Sequence, residues 1–227
     1  MNDLFSTKYV VMTGNYGSGK TELALNLALA SSRLGSTTLV DLDIVNPYFR
    51  SGEKAELLAD AGVRVLMPTF AMTTVDVPAL PPEIQSVFET PCDRVIFDVG
   101  GDDTGAAALG RYAPSFQRLR GETTACLVVN CMRPLTQRAE DIAEMAERIA
   151  QRGRLSIDLI INNTNLADLT EPDMLRAGPQ EVMKAAAMLG VKRVLTSGTA
   201  RLLAQCPELP EPLIIKRHMA PEWMEDV

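Results

Sequence analysis

An apolar run, "YVVMTG", passes at Gly14 into "GNYGSGKT" and from there into "ELALNLALA". No other feature of the chain restricts its fold so tightly. A loop that leaves a strand and opens a helix gathers main-chain N–H groups and the positive end of the helix dipole at one point. With no side chains at Gly17 and Gly19, those N–H groups are free to turn inward around an anion. The spacing Gly14-x-x-x-x-Gly19-Lys20-Thr21 is the Walker A pattern in full, and its strand–loop–helix setting is the one the mechanism requires. The loop is therefore read as a triphosphate cradle. Asn15, Tyr16, Gly17, Ser18 and Gly19 line it, with Glu22 just beyond. Lys20 reaches the β- and γ-phosphates, and the Thr21 hydroxyl meets Mg²⁺.

Strand-length apolar runs alternate with helical patterns along the rest of the chain. The runs are "KYVVMTG", "TTLVDLD", "VRVLMP", "DRVIFDVG", "TTACLVVN", "SIDLIINN" and "KRVLTS". Strands apolar nearly throughout and separated by helices predict a parallel sheet covered on both faces. The expected fold is thus α/β, a three-layer αβα P-loop NTPase architecture with a mostly parallel sheet of about seven strands. Residues 1–227 are read as one domain, with a proline-rich tail from about residue 206. Gly35, Gly62 and Gly190 close helical runs, as left-handed C-caps do. Residues from Met67 to Glu83, with four prolines, read as a long loop of the kind that is often functional. The tail carries one short strand, "LIIK", and the only tryptophan, Trp223, assigned to packing.

Composition excludes several classes. A formal charge of −7 argues against nucleic acid, which needs clustered Lys and Arg. No apolar stretch reaches the roughly 18 residues that span a bilayer, and the start lacks a signal-peptide layout, so a cytoplasmic protein is expected. With one histidine, His218, a multi-histidine zinc site is impossible. Cys92, Cys126, Cys131 and Cys206 form no C-x-x-C pair and read as reduced, small apolar residues.

The triphosphate chemistry calls for a carboxylate near the magnesium, at the end of another strand. "RVIFDVGGDD" supplies Asp98, followed by Gly100 and by Gly101, whose N–H is free to approach the γ-phosphate. "LVDLDIVNPYFRS" supplies Asp41 and Asp43 on one side of a strand end, where Asn46-Pro47 blocks immediate helix formation. Asp43 is the candidate for orienting the attacking water or a metal-bound water. The metal set is accordingly Thr21, Asp43 and Asp98, and the catalytic pair is Lys20 and Asp43.

In this order, "GNYGSGKT", "DLDIVNPYFR" and "DVGGDD" resemble the CobQ/CobB/MinD/ParA group of P-loop nucleotide-binding proteins, over roughly Lys8 to Asn165. The resemblance implies phosphate, magnesium, water-activating and Walker B roles for Lys20, Thr21, Asp43 and Asp98. It departs at Asn15, where many relatives carry a signature lysine that reaches a dimer partner's phosphates. Asparagine supplies no charge. Slow intrinsic hydrolysis, an arginine from elsewhere (Arg50 or Arg111 by position) and a partner that completes the site all remain open, and so does the homodimer.

"LIINNTN" ends a late strand with Asn162, Asn163 and Asn165. Where many P-loop GTPases place an aspartate against guanine, Asn165 stands, a neutral amide that favours ATP over GTP; turn hydrogen bonds are the alternative for these asparagines. The run "LTQRAEDIAEMAERIAQRG" reads as a solvated sheet-covering helix. Neither a basic stripe for DNA nor a basic amphipathic helix for membranes is present. The leading expectation is a Mg-dependent ATPase that switches a partner protein. A small-molecule kinase or ligase like the biotin- and cobalamin-pathway relatives, and a nucleotide sensor with little turnover, are the alternatives.

Overall fold

The computed structural model describes residues 5–43, 54–67, 82–101, 103–209 and 211–219. Asn46-Pro47, Arg50, most of the loop between Met67 and Glu83, and Trp223 lie outside the described residues. Among the described residues, eight strands form one sheet: β1 (Tyr9–Gly14), β2 (Thr37–Leu42), β3 (Val63–Leu66), β4 (Arg94–Val99), β5 (Thr123–Val129), β6 (Leu159–Asn162), β7 (Arg193–Gly198) and β8 (Pro212–Ile214). Their order is β3-β2-β4-β1-β5-β6-β7-β8, and every pairing is parallel. The eighth strand comes from the "LIIK" stretch of the tail.

The helices are α1 (Lys20–Ser31), α2 (Ala55–Asp60), α3 (Pro82–Ser86), α4 (Asp103–Gly110), α5 (Ala113–Arg118), α6 (Ala139–Gly153), α7 (Pro172–Leu189) and α8 (Ala200–Leu203). Side chains alternate across a strand, and β1 shows how that builds the layers. Val10 and Met12 pack with Leu23 and Leu27 of α1 and Leu58 of α2. Tyr9 and Val11 face the other way, onto Ile84, Leu109 and Phe116 of α3, α4 and α5. Further along that second face, Leu127 and Ile160 meet Ile142 of α6 and Val182 of α7. A sheet buried on both faces needs apolar residues at most positions, and β1 and β5 read that way.

β1 sits where the chain order reverses. From it the chain runs out to β2 and β3, returns through β4 and then crosses to β5. In open α/β sheets this reversal leaves a crevice at the carboxyl ends of the strands. The glycine-rich loop opens into that crevice.

Two local expectations change. Gly62 and Gly190 adopt left-handed φ of 72° and 69°, but α1 ends at a right-handed Ser32. Gly35 instead lies against Asp93, whose carboxylate would be 2.5 Å from an added Cβ. The helical run "PQEVMKAAAMLG", which from its pattern is expected to begin at Pro179 and end at Gly190, starts earlier, at Pro172, and carries Pro179 inside it. Gly178 lets α7 approach the β6 end, since an added Cβ would meet the Thr164 hydroxyl at 2.4 Å.

An aromatic group fixes the second face: Phe116 stands edge-on to Phe88 and Phe97, both at 5.2 Å between ring centroids. Phe116→Ala is expected to cost about 3–5 kcal/mol, seen as a fall of roughly 10 °C in the thermal midpoint. A fall of only a degree or two would contradict this packing.

Candidate nucleotide site

The loop from Gly14 to Gly19 is built by three glycines with positive φ, 141° at Gly14, 69° at Gly17 and 91° at Gly19. L-residues seldom adopt these values. Close contacts add a second reason for glycine. An added Cβ at Gly14 would stand 2.2 Å from the Val128 carbonyl oxygen on β5, and one at Gly19 would stand 2.2 Å from Asn163 Nδ2. Gly101, after β4, is pressed on the same loop, its added Cβ 2.5 Å from the Tyr16 nitrogen. Lys20 is buried, and its ammonium folds back to donate to the Asn15 carbonyl at 2.9 Å.

β4 pairs directly with β1, so Asp98 stands level with Met12 on one side and with Asp41 of β2 on the other. Asp98 is almost fully buried, and neither of its carboxylate oxygens has a hydrogen-bond partner. Burial, then the neighbouring Asp41 carboxylate, pushes its pKa up to about 7. The Thr21 hydroxyl and Lys20 ammonium beside it pull the other way without offsetting these. Thr21 stands close, but the geometry does not complete a hydrogen bond. Two unsatisfied acceptor atoms beside a hydroxyl suit a small hard cation. Among the described residues, no three His, Cys, Asp or Glu side chains form a metal cage by themselves, so such a cation would need oxygen ligands from elsewhere. The Asp43 N–H donates to Asp41 Oδ1 at 2.9 Å. This splits the D-x-D pair: Asp41 is buried, and Asp43 lines the adjoining cavity.

That cavity holds about 530 Å³ and runs from Tyr16, Gly17, Gly19, Lys20 and Thr21 toward Asn165, Ser197 and Thr199. Asn163 braces the loop, donating to the Ser18 carbonyl at 2.7 Å and accepting from Ser197 at 2.7 Å. Asn165 also reaches the cavity, but both ends of its amide serve a turn, to the Asn163 carbonyl and from the Ala167 N–H. Asn162 points elsewhere: it accepts from Thr164 and lies under Gly178 of α7. Its side chain does not line the cavity. Asn15 likewise turns to its own chain, donating to the Pro134 carbonyl at 3.4 Å.

Glu22 has a role that the motif alone did not show. Its carboxylate accepts the main-chain N–H groups of His218 and Met219 at 2.7 and 3.0 Å. One turn on, Asn26 donates to the Lys216 carbonyl and accepts its N–H, both at 2.7 Å. Ile215, Arg217 and Met219 therefore form a wall of the cavity, and Arg217 pairs with Asp168. The signal in the sequence was a single acid in a helix's first turn, which reads equally well as a complement to the helix dipole.

No family model matches this sequence, and no curated protein matches it. Solved structures do. FtsY from Mycoplasma mycoides shares 13% identity, with a TM-score of 0.54 over 82% of this chain and 58% of its own. Signal recognition particle 54 kDa protein from Aeropyrum pernix K1, solved with GDP, shares 22%, with 0.53 over 88% and 47%. FlhF complexed with GMPPNP and Mg²⁺ shares 17%, with 0.50 over 83% and 64%. The fold is that of the P-loop NTPases. The chain spans about half the length of the first two structures. Among the described residues, no helix is long and apolar enough to cross a membrane.

The raised pKa of Asp98 has a defined sign. Between its ordinary 3.8 and about 7, the folded chain holds a proton that the unfolded chain releases, so stability falls as pH rises through that window. Without nucleotide or metal, Asp98→Asn is expected to flatten this fall and to raise the thermal midpoint at pH 8 by about 3 °C or more. Parallel pH profiles for the two proteins would contradict it. For Glu22→Ala, amide exchange at His218 and Met219 should accelerate by about tenfold or more, read by mass spectrometry; unchanged exchange would remove the clamp.

Proposed function

We propose that this chain binds Mg·ATP and hydrolyses it, with the nucleotide state controlling a partner protein. The observation that carries the reading is one convergence. The left-handed glycines of the loop, buried Lys20 and the partnerless carboxylate oxygens of Asp98 meet at the carboxyl end of β1. Main-chain N–H groups from Gly17 to Thr21 receive the phosphates, and Lys20 exchanges the Asn15 carbonyl for phosphate oxygen. Thr21 and Asp98, with Asp43 on the cavity side, would hold the magnesium. When bound, that ion neutralises charge on the β- and γ-phosphate oxygens. Asp43 orients the attacking water.

The choice of base rests on the far end of the cavity. The lining there is neutral: Asn163, Asn165, Ser197 and Thr199. Of the two acids that line the cavity among the described residues, Asp43 is placed toward the magnesium and Glu22 is committed to the tail's amides. Guanine presents two adjacent N–H donors that a carboxylate meets best, so this lining favours adenine, although two of the similar structures contain guanine nucleotides. The motif order supports membership of the CobQ/CobB/MinD/ParA group. A protein partner is supported by Tyr16, Met132 and Leu135, large apolar groups exposed in the loop and the neighbouring connection.

Lys20→Ala is expected to abolish binding of a fluorescent ATP analogue. Asp43→Ala should retain binding and lose turnover by roughly 10²-fold. Unchanged turnover in Asp43→Ala would remove that residue from the chemistry. Phosphate released only when a small-molecule acceptor is added would replace the ATPase reading with a kinase or ligase.

A further inference from the structure

Asn15 brings no charge to the phosphates, and of the two arginines named for that task, Arg111 does not line the cavity and Arg50 lies outside the described residues. Among the described residues, the cavity's arginines are Arg133 and Arg217. Arg217 is paired with Asp168. No carboxylate pairs with Arg133 among the described residues, and it is exposed. Its Nε donates to the Gly17 carbonyl at 3.2 Å. Contact with the loop is direct, since an added Cβ at Gly17 would lie 3.2 Å from Nε and 3.4 Å from Cζ.

The connection that carries Arg133 follows β5 and is tied down from several sides. Buried Asn130 accepts from the N–H groups of Met132 and Asn165 and donates to the Asn165 carbonyl. Buried Thr136 returns a hydrogen bond to the Asn130 carbonyl at 2.7 Å, and the Arg133 N–H donates to that same carbonyl at 3.0 Å. Asn15 donates to Pro134 from the other side. So braced a connection places the guanidinium at the lip of the loop. It also has donors beyond the one given to Gly17.

We propose that Arg133 is a phosphate-binding residue, supplying in cis the second positive charge that Asn15 lacks. This deepens the nucleotide reading above and rests on it. Unlike a lysine delivered by a second subunit, Arg133 would act within one chain and would not require a dimer.

The test compares wild type with Arg133→Gln, Arg133→Ala and Arg133→Lys, and with Arg138→Gln as a control. Arg138 lies between β5 and α6, but it is engaged by Asp141. Affinities for Mg·ATP, ADP and AMP are measured by calorimetry, with Mg·GTP and GDP in parallel, and thermal midpoints are recorded for every protein. Gln keeps a donor for the Gly17 carbonyl but not the charge. Arg133→Gln and Arg133→Ala should weaken di- and triphosphate binding by about tenfold or more, leave AMP within about twofold, and share the wild-type midpoint; Lys should retain most of the affinity. Wild-type-like binding by Arg133→Gln overturns the proposal. So does an equal loss for AMP, or a lowered midpoint in step with affinity, since either assigns Arg133 only to shaping the loop. Absence of binding by wild type itself defeats the nucleotide reading, and this proposal with it.

Discussion

The main chain between Gly14 and Gly19 is held so tightly against its neighbours that a single methyl group would not fit at either end. β5 presents a carbonyl to Gly14, and Asn163 an amide to Gly19. The loop's shape is thus imposed by strands on both sides of β1 and by the end of β6, and does not depend on the loop sequence alone. That constraint explains the placement of the other groups. Lys20 begins α1 because the loop ends there, Asp98 is adjacent because β4 pairs with β1, and Gly101 is glycine because it touches the loop's outer side. A rigid concavity of N–H groups costs little further ordering when an anion arrives.

Two buried carboxylates stand on β4 and β2, to one side of β1. Asp98 and Asp41 are buried side by side, and the protein tolerates them through a raised pKa at Asp98 and through hydrogen bonding of Asp41 to the Asp43 N–H. Burying carboxylates together is unfavourable for folding, which marks the spot as one retained for something other than stability. The tail adds a connection of a different kind. Glu22 follows Thr21 directly, and it holds the main chain at His218 and Met219. Displacement of α1's first turn would therefore be felt by the wall at Ile215–Met219 and, through Arg217, by Asp168.

Periodicity made the strands and their parallel order of burial legible, because strands buried on both faces have little choice of residue. The loop was legible because glycine at fixed offsets has few other uses. Less could be read where one residue type serves several ends. Pro179 read as a helix start and proved internal to α7. Gly35 read as a cap and proved a seat for Asp93. Of the three asparagines, Asn163 braces the loop, Asn165 makes a turn and Asn162 lies under α7; an amide's partners are set by tertiary contacts that leave no periodic trace. Arg133 was missed for the same reason. It is distant from Gly17 in sequence and is brought there only because β5 pairs with β1.

We propose that a triphosphate nests against the bare amides of this loop. Backbone amide exchange of the full chain, followed residue by residue with and without Mg·ATP, addresses it directly. Exchange at Gly17 through Thr21 is expected to slow on saturation, with adenosine alone giving no such protection there. Unchanged exchange at those amides, in protein that is folded and exposed to millimolar nucleotide, would contradict it.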